Sequence, residues 1–323
     1  MRRQNTAEIA NGTNTMNKLK VAVIGIGHLG HHHARIYANM PDIKLTAVCD
    51  SNKKLAKKTA SHHNTACYTD YKDLIGKIDA ASIAVPTELH FEIAKKLLEN
   101  NIHCLIEKPI TNDLSQAQQL VQLAENKKLI LQVGHVERFN PAIRGVQQYV
   151  QNPRFIECHR MGPFKKRALD VGVVLDLMIH DIDIIMYLVN SPITSIEAVG
   201  INVLTDYEDI ANARLKFQNN AIANISASRL SAAEMRKIRI FQPDAYISLD
   251  YVKKAAVIFR KSGKRITRSN IPIKIKDALE QELASFVDCI QKDQKPLVSG
   301  KEATEALRIA LEITNQLKTQ QTQ

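Results

Sequence analysis

The feature that most constrains this chain is a short strand that runs into a glycine-rich turn and then into a helix. Residues 20–24 form a short β-branched run, and the turn that follows reads Gly25-Ile26-Gly27-His28-Leu29-Gly30. Gly25 permits the tight turn, Gly27 lets the backbone approach a pyrophosphate at the helix N-terminus, and Gly30 lets helix and strand pack closely. The spacing therefore predicts the first unit of a dinucleotide-binding sheet.

A second strand over residues 45–49 ends at Asp50. An acid at this distance from the glycine turn typically binds the 2′-hydroxyl of the adenosine ribose. The pattern thus favours NAD as the cofactor. Lys53 and Lys54 keep NADP open as the alternative, because a 2′-phosphate requires a nearby cation.

Strand-like runs at 81–85, 102–106 and 129–133 continue the alternation with helical stretches. This βαβ pattern predicts an α/β fold with a parallel, doubly wound sheet, whose ligands bind at the carboxyl ends of the strands. The side chains at such ends are Pro86, Thr87, His90, Glu107 and Lys108. Because Lys108 directly follows a buried strand and precedes Pro109, we expect its cation to face the cofactor crevice.

Further along the chain, a carboxylate and an imidazole lie four residues apart, at Asp176 and His180, on an otherwise apolar helical stretch. At about 100° per residue these side chains share one stripe with Asp183. Burial of such a pair is costly unless the groups satisfy each other or line a cavity that a ligand enters. We interpret the stripe as a proton-handling site, with a hydrogen-bonded structural pair as the alternative.

The length and the cysteines indicate the class of protein. A chain of 323 residues suits two domains. The five cysteines are scattered without a Cys-x-x-Cys pair, which favours reduced thiols. No apolar run reaches the roughly 20 residues of a membrane span, and the polar start lacks the apolar core of a signal peptide. We therefore predict a cytoplasmic protein with a disordered extension over residues 1–17.

The formal net charge of +11 does not by itself select a partner, since basic proteins bind nucleic acids, membranes and phosphorylated metabolites alike. No nucleic-acid-binding motif stands out, and most Lys and Arg residues are spread over helices. One basic cluster precedes the Asp176 helix and consists of Arg160, Lys165, Lys166 and Arg167. We expect it to receive a phosphorylated substrate, with a solvated surface loop as the alternative.

A group of histidines, His28, His31, His32 and His33, raises the question of a metal. Contiguous histidines point around the circumference of a helix, and zinc requires a further ligand at fixed geometry. The sequence indicates none, so we predict no metal.

Taken together, these residues resemble the Gfo/Idh/MocA family, named for glucose-fructose oxidoreductase, inositol dehydrogenase and a rhizopine-catabolism protein. The resemblance covers nearly the whole chain from about Lys18. Its marks are the 25–30 glycine turn, Val85-Pro86-Thr87-x-x-His90, Glu107-Lys108-Pro109, Gly134-His135-Val136-Glu137-Arg138-Phe139-Asn140-Pro141 and Gly172 through Asp176-x-x-x-His180.

The resemblance implies a Rossmann domain over residues 18–141 and a C-terminal α+β domain over 142–323 with a large, mostly antiparallel sheet. The sequence agrees, since turn signals separate strand-like runs and one helical stretch interrupts them at 175–188. The runs lie at 155–160, 196–204, 211–217, 221–227, 238–241 and 255–259. In the family the open face of this sheet is commonly buried between subunits. We therefore expect a homodimer or homotetramer.

The family also implies oxidation of a sugar or polyol hydroxyl by a nicotinamide cofactor. His180 would accept the hydroxyl proton, Lys108 would polarise the oxygen, and Asp176 would orient the imidazole, with Asp183 able to share that role. The residues expected to contact substrate are Lys108, His135, Arg138, Asn140, Arg160, Lys165, Lys166, Asp176 and His180.

Within the family the chain is most similar to nucleotide-sugar dehydrogenases, in particular the group that oxidises the 3-hydroxyl of UDP-N-acetylglucosamine for lipid A. A diphosphate substrate would explain the basic cluster. The alternatives are a dehydrogenase of a free sugar, inositol or sugar acid, and a non-catalytic cofactor-binding sensor. The presence of Lys108, Asp176 and His180 together argues against a non-catalytic sensor. A nucleic-acid binder, suggested by the net charge alone, is the least favoured alternative.

Overall fold

Two β-sheets organise the chain in the computed structural model, which describes residues 18–164 and 171–321. The predicted N-terminal extension over residues 1–17 lies outside the described residues. The first sheet contains β1 (Leu19–Ile24), β2 (Ile43–Cys49), β3 (Ala66–Tyr68), β4 (Ala80–Ile83), β5 (His103–Glu107) and β6 (Leu131–Gly134). All its strands are parallel, in the order β3-β2-β1-β4-β5-β6.

Helices connect these parallel strands, as a parallel sheet requires. They are α1 (Gly30–Ala38), α2 (Lys53–His63), α3 (His90–Glu99) and α4 (Leu114–Asn126), with short 3₁₀ turns at Tyr71–Leu74, Thr87–Leu89 and Val136–Phe139. The strand order reverses between β1 and β4, which is where a doubly wound sheet opens a crevice for its ligand. The Rossmann architecture predicted from the sequence is confirmed.

The second sheet follows α5 (Pro141–Gln147) and has eight strands. They are β7 (Phe155–Met161), β8 (Ile193–Ile201), β9 (Ile210–Phe217), β10 (Ile222–Ser228), β11 (Met235–Gln242), β12 (Ala245–Asp250), β13 (Ala255–Ser262) and β14 (Arg265–Ile271). Their order is β14-β13-β12-β11-β7-β10-β9-β8, and only β7 and β10 run parallel. The predicted large, mostly antiparallel sheet is therefore confirmed.

One face of this second sheet is buried by helices. A π-helical turn (Val174–Met178) leads into α6 (Ile179–Val189), and the chain ends with α7 (Ala278–Lys292) and α8 (Gly300–Gln321). Apolar side chains of α6 and α8, such as Ile182 and Ile313, join alternate strand residues such as Ile240 in one core. The opposite face keeps exposed apolar side chains, including Val199 and Ile201.

The C-terminal helices also return to the first sheet. Leu283 and Phe286 of α7 pack with Val23 and Tyr37 in the core on one side of that sheet. Leu307 of α8 joins the core on its other side. Helices α7 and α8, which belong to the predicted second domain, thus also complete the core around the first sheet.

Three strands were not predicted, namely β3, β12 and β14. β3 has three residues, and β14 is an edge strand whose side chains are exposed up to Ile271, so neither shows a periodic apolar pattern. β12 does alternate buried and half-buried residues. Within the two described ranges, no helix is both long and apolar enough to cross a membrane.

Candidate active site

The glycine turn lies at the crevice, where its three glycines serve different purposes. Gly25 has φ +85°, and a Cβ there would lie 2.4 Å from the carbonyl oxygen of Ala84. At Gly30 a Cβ would lie 1.7 Å from the carbonyl oxygen of Gly25, so helix and turn touch through backbone alone. At Gly27 a Cβ would meet nothing within 4 Å. This exposed glycine leaves the approach to the N-terminus of α1 open, which is the space that a phosphate at a helix N-terminus requires.

Asp50 closes the other side of the same crevice. Its Oδ2 accepts a hydrogen bond from the amide of Ile26 at 2.7 Å, and its Oδ1 accepts one from the amide of Asn52 at 2.8 Å. Asp50, Gly27 and Pro86 line a cavity of about 370 Å³. A phosphate-accessible turn beside an oriented carboxylate is the donor and acceptor set that the pyrophosphate and the ribose of a dinucleotide require.

Two of the residues expected to bind the cofactor bond to protein groups instead. The buried His90 ring lies between the carbonyl oxygens of Pro109, 2.9 Å from Nδ1, and Val85, 3.0 Å from Nε2. Glu107 places Oε1 3.0 Å from Nε2 of the buried His33. His90 therefore braces the loop after β5, and Glu107 anchors it to α1, which differs from the expected direct contacts. Thr87 begins a 3₁₀ turn beside Pro86.

At the carboxyl end of β5, Lys108 reaches across to the second half of the chain. Its Nζ donates hydrogen bonds to the backbone carbonyl of Asp176 at 2.8 Å and to Asp176 Oδ1 at 3.2 Å. Both side chains remain partly accessible, at 18% and 30%. The structure thus joins two predicted catalytic residues that are 68 positions apart.

The helical stretch that carries Asp176 is not the regular α-helix that the sequence predicted. The amide of Ile179 donates to the carbonyl of Val174, five residues back, so residues 174–178 form a π-helical turn. Such wide single turns occur frequently at functional sites. The turn changes the predicted pairing, because the Asp176 carboxylate bonds to Lys108 and not to His180.

His180 is half-buried and its Nδ1 is buried without a hydrogen-bond partner among the described residues. Burial lowers the pKa of His180 well below its usual value, and the cations Lys108, Arg160 and Arg236 lower it further. The imidazole is therefore neutral at pH 7. A neutral imidazole is the form that accepts a proton.

His135 lies behind His180, with the two rings edge to face and their centroids 6.1 Å apart. Its side chain is buried, and burial together with Lys108 and Arg138 lowers its pKa to about 3. Because only 1% of the His135 side chain is accessible, the ring does not offer the direct substrate contact that was expected.

Arg138 and Asp183 form a buried ion pair at 3.1 Å. The Arg138 guanidinium also donates to the carbonyl of Leu297 and lies over the Tyr187 ring, 3.7 Å from its centroid. Arg138 was expected to contact substrate and Asp183 to help orient His180. In the structure they pair with each other instead, because a buried guanidinium is stable only beside a carboxylate that compensates its charge.

Arg160 is likewise neutralised. Nε and Nη2 donate to the two carboxylate oxygens of Asp181, both at 2.8 Å, and Nη1 donates to Glu137 at 2.9 Å. Asn140 bonds to Glu137 Oε2 and caps α5 through its side-chain oxygen. Arg160 and Asn140 were expected to bind substrate, and in this structure both are occupied by a network that ties α6 to the strands and loops around it.

The remaining members of the basic cluster, Lys165, Lys166 and Arg167, lie outside the described residues. The structure reveals another cation, Arg236, which pairs with Arg160 across β7 and β11. Its guanidinium bonds to Glu234 at 2.8 Å. The Arg236 side chain is 36% exposed and lines a small cavity together with Asp176. The sequence could have indicated Arg236 through the two-residue alternation of β11, which places Arg236 on the same strand face as Ile238 and Ile240.

The histidines at the start of α1 contact one another. The rings of His31 and His32 have centroids 3.8 Å apart, and His28 lies about 6 Å from both. In the part of the chain that the structure describes, no set of three or more His, Cys, Asp or Glu side chains is arranged to hold a metal ion.

Comparison with known proteins gives matches to two family models. Residues 19–135 match the oxidoreductase family with an NAD-binding Rossmann fold, and residues 142–247 match the GFO/IDH/MocA C-terminal domain. The two matches correspond to the glycine-turn sheet and to most of the eight-stranded sheet described above.

Similar proteins include two dehydrogenases. UDP-N-acetylglucosamine 3-dehydrogenase of Acidithiobacillus ferrooxidans is 33% identical over 92% of this chain and 97% of its own length. A solved structure of that enzyme superposes with a TM-score of 0.90, at 32% identity, covering 94% of this chain and 99% of that chain. The scyllo-inositol 2-dehydrogenase (NAD(+)) of Bacillus subtilis is 27% identical over 94% of this chain and 95% of its own length.

Proposed function

The chain belongs to the Gfo/Idh/MocA family of oxidoreductases, and from this premise we propose that it oxidises a secondary hydroxyl of a sugar with NAD. The substrate class is a nucleotide sugar of the UDP-N-acetylglucosamine type, oxidised at the 3-hydroxyl. The observation that carries the proposal is that Lys108, at the end of β5, pairs with Asp176 and lies near enough to His180 to lower the pKa of that imidazole. The chain also matches a UDP-N-acetylglucosamine 3-dehydrogenase over nearly its whole length.

The side chains divide the proton chemistry between them. A bound nicotinamide supplies the hydride acceptor for the carbon being oxidised. Lys108, held at the crevice by Asp176, donates a hydrogen bond to the substrate hydroxyl oxygen and stabilises the negative charge that develops on it. His180, neutral at pH 7, accepts the hydroxyl proton.

Asp176 has a different role from the one first expected. Its carbonyl and its carboxylate both accept hydrogen bonds from Lys108, so it positions the lysine and not the imidazole. The π-helical turn supports this role by presenting backbone and side chain of one residue to the same ammonium group.

NAD is the proposed cofactor, in preference to NADP. The Asp50 carboxylate is held at the cavity by the amides of Ile26 and Asn52, so a 2′-phosphate would meet a fixed negative charge. Lys53 and Lys54 begin α2, where they are exposed.

The diphosphate of the substrate requires cations near the sugar. Arg236 is a better candidate than Arg160 for the diphosphate contact, because Arg236 is partly exposed and shares a cavity with Asp176. Lys165 and Lys166 remain part of the proposal. Arg236→Gln should raise KM for a UDP-sugar, whereas Arg239→Gln, on the opposite face of the same strand, is the matched control.

Assembly into a homodimer or homotetramer is part of the proposal. The open face of the second sheet carries a row of stacked rings from Phe155, Phe241, Tyr246 and Phe259, with centroids 4.8 to 5.6 Å apart. Val199 and Ile201, on β8 of the same sheet, are 55% and 58% exposed. An apolar surface of this kind favours association. Sedimentation analysis of the protein and of Ile201→Glu would test it.

We also propose a cytoplasmic location. It is supported by the cysteines, since all five are free and four of them are buried.

A dehydrogenase of inositol or of a free sugar is the second candidate, favoured by the similarity to scyllo-inositol 2-dehydrogenase. One experiment separates the two. Purified protein is mixed with NAD or NADP and a panel of UDP-sugars, inositols and free sugars, and reduced nicotinamide is followed. We expect the highest kcat/KM with NAD and a UDP-N-acetylhexosamine. Turnover of inositol alone would reject the nucleotide-sugar proposal.

A further inference from the structure

A line of buried polar atoms leads from the proposed base into the protein. These atoms are His180 Nδ1, both ring nitrogens of His135, and Asp183 Oδ2, and none of them has a hydrogen-bond partner among the described residues. Unpaired polar atoms are rare in protein interiors because each costs the free energy of a lost hydrogen bond. Four such atoms in sequence therefore call for an explanation.

We propose that His135 and Asp183 relay the proton from His180 to solvent on the side of the protein away from the substrate crevice. The proposal rests on the proposed function, in which His180 takes the proton of the substrate hydroxyl. It adds a path by which that proton leaves while substrate and cofactor occupy the crevice.

The distances suit a relay completed by water or by small movements of the rings. The rings of His180 and His135 have centroids 6.1 Å apart, and His135 Nδ1 lies 4.0 Å from Asp183 Oδ2. Both separations exceed a direct hydrogen bond. A bridging water between such groups is nearly as favourable as a direct bond, and it would satisfy the unpaired atoms at the same time.

The far end of the line reaches a large cavity. Asp183 lines a space of about 790 Å³ whose wall also includes Arg138, Tyr187 and the exposed side chains of Asn190 and Lys295. Arg138 bonds to Asp183 Oδ1 and so leaves Oδ2 as the oxygen that faces His135. A proton that arrives at Asp183 therefore has a route to solvent that does not cross the substrate site.

The step balances in protons. His180 accepts the hydroxyl proton at the nitrogen that is not buried, and releases the proton on Nδ1. His135, which as a neutral imidazole has one N–H and one free nitrogen, accepts at one nitrogen and releases from the other. Asp183 accepts at Oδ2 and delivers to water. Asp183 returns to its starting state, and each imidazole is left neutral as its other tautomer, which ring rotation or proton exchange resets before the next turnover. The net result is the single proton that NAD-dependent oxidation of an alcohol releases.

Burial is the main influence on all three groups and favours their neutral forms, while Arg138 opposes it at Asp183 and Glu107 opposes it at His135. His180 faces Lys108, Arg160 and Arg236, and His135 faces Lys108, Arg138 and, with opposite sign, Glu107. Asp183 faces Arg138 and Glu302, and burial raises the pKa of Asp183 to about 7. A carboxyl group that gains and loses a proton near neutral pH is suited to the exit position.

The relay can be tested without substrate. Proton exchange between the His180 ring N–H and water is followed by NMR in protein labelled with nitrogen-15 histidine. We expect the exchange to slow by about tenfold or more in Asp183→Asn and in His135→Gln, since each removes a proton carrier. Asp183→Asn retains an oxygen that can accept from Arg138, and Tyr187→Phe is the matched control on the same cavity wall. Equal exchange rates in the parent protein, the two relay variants and Tyr187→Phe would overturn the relay.

A second arm uses turnover. Stopped-flow absorbance follows nicotinamide reduction, and an indicator dye follows proton release in the same mixing event. In Asp183→Asn and His135→Gln we expect proton release to lag behind nicotinamide reduction. Free imidazole should restore synchronous release, because it can enter the protein and carry the proton. A bulky buffer of the same pKa should leave the lag unchanged. A merely structural defect would not respond to imidazole. Synchronous release in the variants would overturn the relay, while failure of every UDP-sugar would reject only the proposed substrate.

Discussion

Replacing Arg160 by alanine is expected to destabilise the fold and not to weaken substrate binding specifically. Arg160 is 4% exposed, and its guanidinium makes three hydrogen bonds to carboxylates. Its removal leaves Asp181, which is 1% exposed, with a buried charge and no counter-ion. Glu137 retains the hydrogen bond from Asn140 and a longer ion pair with Arg236, at 3.7 Å.

The size of the effect follows from burial. Breaking a buried ion pair by removing one partner costs about 3 to 5 kcal/mol, because the remaining charge stays buried and uncompensated. An unfolding entropy of about 2.1 cal/mol/K per residue gives 323 residues about 0.7 kcal/mol/K. The thermal midpoint should therefore fall by about 4 to 7 °C.

Calorimetry or fluorescence-monitored melting of Arg160→Ala measures this shift. Arg239→Ala provides the matched control, because Arg239 lies on the exposed face of the neighbouring strand and contacts Glu157 at 3.4 Å with both side chains accessible. An exposed pair of this kind contributes about 0 to 1 kcal/mol. Arg160→Ala/Asp181→Asn should recover part of the loss, since it removes the orphaned charge.

The opposite result has a clear meaning. If Arg160→Ala melted within about 1 °C of the parent protein and only KM for a UDP-sugar rose, the buried network would not be structural. The original expectation of a diphosphate contact at Arg160 would then be correct.

Three further predictions concern catalysis, cofactor choice and pH. Lys108→Ala and His180→Ala should each lower kcat by about 10²-fold or more, with NADH binding retained in fluorescence titration. The double variant should be little worse than either single variant, because the two residues act as a unit. Losses that multiply in the double variant would contradict this. Asp50→Ser should raise the ratio of NADP to NAD kcat/KM, and an unchanged ratio would remove Asp50 from cofactor selection. The pKa of Asp183 is raised by burial to about 7, so its contribution to stability is present below the unfolded value of about 4 and is lost as pH rises towards 7; denaturant titrations should show a smaller loss over that window in Asp183→Asn.

The sequence determined the first sheet and its crevice because the determinants are local. The glycine spacing at 25, 27 and 30 is a backbone requirement of one turn, and Asp50 follows from the end of the next strand. The position of Lys108 at a strand end, and thus at the crevice, follows in the same way from the parallel topology. The second sheet was predictable where strands alternate, and its polar edge strand β14 was not.

Only the tertiary structure decided which charged side chain pairs with which. Helical periodicity placed Asp176, His180 and Asp183 on one stripe, but the π-helical turn redirects Asp176 to Lys108, and burial pairs Asp183 with Arg138. Arg160 was indistinguishable in sequence from a free phosphate ligand, yet β7 carries it onto the buried face of the sheet, against Asp181 and Glu137. Arg236, in contrast, is left partly exposed beside Asp176. Periodicity reports which face a residue occupies, whereas its ionic partner depends on elements far away in sequence, because a buried charge is stable only where another part of the chain supplies its counter-ion.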